Sequence, residues 1–183
     1  MEGWNQKGRM IIITERIAQF IKELKERSIE RRIPLSASVY VTDERFPLKD
    51  TINLERRGIQ PGTEWGRNWQ SGYFLLEADI PDGFPCSDAV LSADIGGEVQ
   101  IYDDEGNALF GLTDGSSFDC NYVKSEERIV VVPGHCRIYA EAAANNLFGL
   151  SRREMKFSRD IPEPEGRHIG IFCYADIAII DRK

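Results

Sequence analysis

The chain has 183 residues, 42% hydrophobic and 29% charged, which suits one globular domain, or a domain with an appendage, and excludes disorder. Its formal net charge of −7 repels phosphate backbones, so nucleic acid is not expected as a partner. No apolar run reaches transmembrane length, and the patch Met10–Ile13 is too short for a signal-peptide core, so no membrane is expected either.

In chain order, residues 14–32 (TERIAQFIKELKERSIERR) predict a helix. Ile17, Phe20, Ile21, Leu24 and Ile29 mark its apolar face, Thr14 is a plausible N-cap, and Pro34 ends it. Its charges read as a solvated face. SASVYVT (36–42) alternates and predicts a strand. Residues 43–72 carry Pro47, Gly58, Pro61, Gly62, Gly66 and Gly72, and read as a long loop region of the functional or interface-forming kind. Short strands then follow at 73–80, 89–95, 98–102, 108–112, 128–132, 136–143, 154–158 and 169–180. The gaps between them hold turn chemistry, and IYDDEGNALF is the clearest hairpin. The pattern predicts a mainly β protein, an antiparallel β-sandwich with an N-terminal α-helix.

The cysteines, Cys86, Cys120, Cys136 and Cys173, form no CxxC pair and match no zinc-knuckle spacing. Buried thiols in a reducing, cytoplasmic compartment are expected. His135 and His168 have no second histidine, HxD or HExxH around them. Glycoside hydrolysis usually needs two carboxylates. Thirty acids supply pairs on paper, and Glu141 with Asp114 is the best of them, but the pattern singles out none.

EWGRNWQSGYF has the composition of a carbohydrate platform, because Trp65, Trp69 and Tyr73 offer rings and Arg67 and Asn68 offer donors. The same residues read equally as anchors of a loop against a sheet or a neighbouring domain. In EAAANNLFGL, Ile138, Ala140 and Ala142 should face one way, and Tyr139, Glu141 and Ala143 the other. Glu141, if buried, needs donors, and Asn145 and Asn146 can bond nearby backbone and hold a turn.

Three stretches taken together carry a resemblance: PGTEWGRNWQSGYFLLEADIP, GGEVQIYDDEGNALFGLTDG and IYAEAAANNLFGL. They resemble the N-terminal domain of family 38 glycoside hydrolases, the α-mannosidases, most closely the cytosolic and bacterial branch. Glu141, Ala143, Asn145, Leu147, Phe148 and Gly149 match the family's strand end in order, and Gly106, Gly111, Leu112 and Thr113 match its hairpin. The likeness runs over residues 60–180.

The resemblance implies a galactose-binding-like jelly roll ahead of a zinc-dependent retaining mannosidase domain. The layout expected is a helical lead-in at 1–35 and a β-sandwich at 36–183, cut just before the catalytic domain. No position matches the family's zinc ligands or nucleophile, so no catalytic or metal residue is assigned, and zinc is expected in the missing domain. The partners implied are that catalytic domain and an α-mannoside. An independent carbohydrate-binding module and a homo-oligomer assembly domain are the competing readings. Trp65, Arg67, Asn68, Trp69, Tyr73, Asp114, Glu141, Asn145 and Asn146 are the candidates for contact with sugar or with a domain interface.

Overall fold

The computed structural model describes residues 16–17, 19–20, 23–24, 28–67, 69–113, 123–144 and 168–181. Two antiparallel sheets pack face to face. The four-stranded sheet runs β1 (Ile29–Pro34), β12 (Tyr174–Ile180), β6 (Ala89–Asp94), β9 (Glu126–Arg128). The six-stranded sheet runs β3 (Arg57–Ile59), β2 (Ser36–Thr42), β5 (Ser71–Ile80), β10 (Gly134–Ala143), β7 (Glu98–Tyr102), β8 (Ala108–Leu112). A two-stranded ribbon of β4 (Thr63–Arg67) and β11 (His168–Phe172) completes the described strands. The sandwich expected from the strand pattern is the fold observed.

Alternation explains which faces meet. Along β5, Phe74, Leu76 and Ile80 point into the core, as do Ile138, Ala140 and Ala142 along β10. Leu91, Ala93, Ala175, Ile177 and Ile179 answer them from the four-stranded sheet. Strands β6 and β12 are buried along nearly their whole length, which accounts for their continuous apolar runs. Trp65 meets Phe74 edge-on at 5.2 Å between ring centroids, and Phe74 stacks on Phe172 at 6.2 Å.

A second, smaller cluster lies on the outer face of the six-stranded sheet. Leu48, Tyr73 and Tyr139 form it, with Tyr40, Phe46 and Leu75 alongside. It is roofed by the short helix α1 (Leu48–Thr51). Arg56 fastens this roof. Its guanidinium lies 5.7 Å from the Tyr139 ring centroid and donates to the carbonyls of Thr51, Ile52, Leu54 and Tyr73.

Several elements differ from the sequence expectation. The helix expected over 14–32 stops earlier: Leu24 is helical, Ser28 lies in a turn, and Ile29 opens β1. Ile29 and Ile33 sit four apart, a spacing that fits a helix and a strand alike. Pairing of β1 with the apolar β12 decides the matter. The region 43–72 is not one loop, since it holds α1, β3 and β4.

The strand expected at 169–180 is two, divided at Cys173, whose backbone N–H donates to Asp94 O at 2.8 Å. At 128–132 only Arg128 is in a strand, although Ile129 and Val131 are still buried and Val130 and Val132 still exposed. The strand expected at 154–158 lies outside the described residues. The cysteines also depart from burial: Cys86 and Cys136 are half-buried, Cys173 is exposed, and Cys120 is not among the described residues.

The hairpin IYDDEGNALF forms as predicted. Tyr102 pairs with Ala108, and Asp103 Oδ1 accepts the backbone N–H groups of Glu105 and Asn107. Gly106 takes φ +85°, a conformation that favours glycine.

Candidate functional site

The register of β5, β10 and β7 gathers a polar site on the outer face of the six-stranded sheet. Glu141 on β10 stands opposite Tyr73 on β5 and Gln100 on β7. Arg45, on the segment between β2 and α1, reaches it from 96 positions away and donates from Nε to Glu141 Oε1 at 2.7 Å. The Tyr102 hydroxyl donates to Glu141 Oε2 at 3.0 Å. The Glu141 side chain is only 12% exposed, so the donors that its burial demands are present.

The electrostatics follow from these contacts. The hydrogen bond and charge of Glu141 raise the Arg45 pKa above its usual value. Burial, with the Glu141 hydrogen bond behind it, pushes the Tyr102 phenol up to about 12. Tyr73 is fully buried. Its hydroxyl donates to Phe46 O and accepts from Phe46 N–H, both at 2.7 Å, and burial raises its pKa. Tyr73 is therefore a fastener between sheet and roof.

The site opens onto a cleft of about 590 Å³. Arg45, Glu141, Gln100, Glu98, Lys124 and Ser71 supply its polar wall, while Gly111 and Ala143 keep the lining low. The Gln100 amide donates to the backbone carbonyls of Ile101 and Phe110, which fixes its orientation. Lys124 pairs with Glu127 at 2.8 Å.

The aromatic candidates separate. Trp65 is 3% exposed and donates from its indole N–H to Ile95 O at 2.6 Å. Its ring belongs to the core and cannot stack on a ligand, which corrects the platform reading for this residue. The physical reason is that Gly72 and Gly170 lack side chains where the ring lies. Trp69 is 65% exposed and has φ +69°.

A bulky residue in that region is strained, at a cost of order 1–3 kcal/mol, and persists only where neighbours over-determine it. Here they do. Gln70 N–H donates to Arg67 O, Arg67 N–H donates to Gln70 Oε1, and both side chains donate to Asp43 Oδ1. Arg67 thus braces the turn that presents Trp69. Asn68, Asp114, Asn145 and Asn146 lie outside the described residues.

Two other ionisable groups stand apart. At the far end of the same sheet face, His135 sits 3.1 Å from Asp79 Oδ1 and 3.3 Å from Glu77 Oε1, and these bonds raise its pKa. Arg137 Nε occupies the same Glu77 oxygen at 3.2 Å, so a cation already holds the place a metal would need. Among the described residues no group of three or more His, Cys, Asp or Glu side chains could hold a metal ion. On β12, Asp176 is 4% exposed and forms an ion pair with Arg32 at 3.0 Å that lacks hydrogen-bond alignment. Burial raises its pKa and Arg32 opposes the rise.

Sequence reasoning found Glu141 but not Arg45, Tyr102, Gln100 or Lys124. The alternation of β7 would have placed Tyr102 on the outer face. No local signal marked Arg45, because only the tertiary fold brings it to Glu141.

Comparison with known proteins agrees with the architecture. A family model described as "Alpha-mannosidase, jelly roll domain" matches residues 33–168. Alpha-mannosidase 2C1 of Homo sapiens is 26% identical over 176 residues, covering 92% of this chain and 16% of that protein. Alpha-mannosidase 2C1 of Mus musculus is 26% identical over 158 residues, covering 82% of this chain and 15% of that protein. The chain therefore spans less than a fifth of the length of these curated relatives. With two antiparallel sheets closed on one core and a family match across most of its length, the chain belongs to the α-mannosidase jelly-roll domain family.

Proposed function

We propose that this domain is the non-catalytic jelly-roll module of a longer, zinc-dependent retaining α-mannosidase that hydrolyses terminal α-mannosides. The module packs on the catalytic domain and borders its sugar site. The carrying observation is the coverage: an alignment that takes in 92% of this chain takes in only 16% of a relative named for mannosidase activity. Zinc needs several convergent His, Cys or carboxylate ligands, and the described residues offer no such group. The described residues do not fit the metal, and no step of the reaction is assigned to them.

The helical residues Ile17, Phe20 and Leu24 support the packing role. They recur at helical spacing and are 54%, 60% and 50% exposed, an apolar stripe suited to burial against a further domain. Cys86 and Cys136 stand as unbridged thiols, which suits a cytoplasmic setting. The reading frame downstream of codon 183 tests the proposal. An open frame encoding a large segment with Asp and His zinc motifs is expected, and a natural stop after Lys183 would overturn it.

A further inference from the structure

The cleft beside Glu141 has a composition that selects among ligands. Two basic residues, Arg45 and Lys124, and two acidic residues, Glu98 and Glu141, line it, so its formal charges cancel. An anion or a cation would meet a like charge as readily as an opposite one. A neutral ligand rich in hydroxyls would meet donors and acceptors in alternation.

Those groups are positioned in advance. Both Glu141 oxygens are engaged, by Arg45 and Tyr102, so the carboxylate is an acceptor of fixed orientation. Arg45 uses Nε for that bond and carries four further N–H donors on a side chain that is 79% exposed. Gln100 commits its amide N–H groups to two carbonyls, which leaves its oxygen as the acceptor.

An apolar surface lies close by in the chain. Trp69 is two residues before Ser71 of the cleft wall, and Asp43, which braces its turn, is two residues before Arg45. The cost of holding an exposed indole at φ +69° needs an explanation, and a ring offered to the apolar face of a sugar supplies one. The volume, about 590 Å³, lies within the range of small-molecule sites.

We propose that the Arg45–Glu141–Gln100 cleft binds a neutral pyranoside, a terminal α-mannoside unit. The location and the ligand class come from the cleft. The choice of mannose rests on the mannosidase-module reading above. The cleft recognises sugar without cleaving it.

Saturation-transfer NMR of the 183-residue chain with methyl α-mannoside tests this. Saturable binding in the millimolar range is expected. Arg45→Met removes the exposed donors. Gly111→Leu fills the cleft from β8, where a Cβ meets only Val99 O at an ordinary 3.6 Å, so the fold should tolerate it. Each variant should weaken binding at least about tenfold while keeping the circular dichroism spectrum of the parent. Three results would overturn the site: no saturable binding by the parent chain, undiminished binding by both folded variants, or competition by inorganic phosphate. None of these touches the module reading, which the downstream reading frame decides separately.

Discussion

Gly170→Ala should be among the most damaging single methyl additions in this domain. A Cβ at Gly170 would stand 2.4 Å from Trp65 Cε2, 2.7 Å from Cζ2 and 2.8 Å from Nε1. The ring cannot yield cheaply. Its N–H is bonded to Ile95 O at 2.6 Å, its edge meets Phe74, and on β5 a Cβ at Gly72 would already clash with it at 2.6 Å.

Overpacking of a tight core costs about 1–3 kcal/mol. Displacing the indole from Ile95 O adds about 0.5–1.5 kcal/mol. The sum is about 1.5–4.5 kcal/mol, or about 3–18 °C in Tm for a domain of this size. Gly58→Ala is the control, because its Cβ would meet nothing within 4 Å. Differential scanning fluorimetry should show a large fall for Gly170→Ala and little change for Gly58→Ala. A Gly170→Ala variant melting within about 2 °C of the parent would refute the account of Trp65 as a pinned core residue.

Arg56→Ala should loosen the roof over Tyr139, at a cost of about 2–3 kcal/mol, because four backbone carbonyls lose a charged donor. Arg56→Lys should recover only part of that, since an ammonium lacks the planar fork. Urea unfolding measures both, and full recovery by lysine would contradict the fork's role. Asp176→Asn should change the pH dependence of stability. The folded-state pKa of Asp176 is raised above 3.8, so the folded chain holds the proton more tightly than the unfolded one. Its contribution is therefore most favourable below that value and declines as pH rises through the raised pKa. The stability of the parent relative to Asp176→Asn should fall as pH rises through that window. A difference that is flat, or that grows with pH, would show that Arg32 outweighs burial.

The parts of this fold legible in the sequence were those set by local alternation. Strands β2, β5, β7, β8 and β10 follow period-two patterns or turn chemistry, and their positions were readable from the chain alone. The misplaced elements depend on distant pairing. Ile29 and Ile33 fit two periodicities, and only β12 selects the strand. Glycines suggested a loop around Trp65, whereas one of them, Gly72, leaves room for its ring in the core, as Gly170 does from β11.

The site divides along the same line. Glu141 drew attention as an acid among alanines, and its need for donors followed from burial. Its donors come from positions 45 and 102, which sequence proximity could not reveal. Trp65 and Trp69 had the same composition signal and proved opposite in exposure, because strand and turn orient them differently.

The proposed function places this domain in a longer α-mannosidase and assigns it none of that enzyme's chemistry. Hydrolysis of an aryl α-mannoside by the purified 183-residue chain, measured with and without added zinc, tests it most directly. The account predicts a rate no greater than the buffer blank in both conditions. Turnover that is abolished by Glu141→Gln would place catalysis within this chain and contradict the claim.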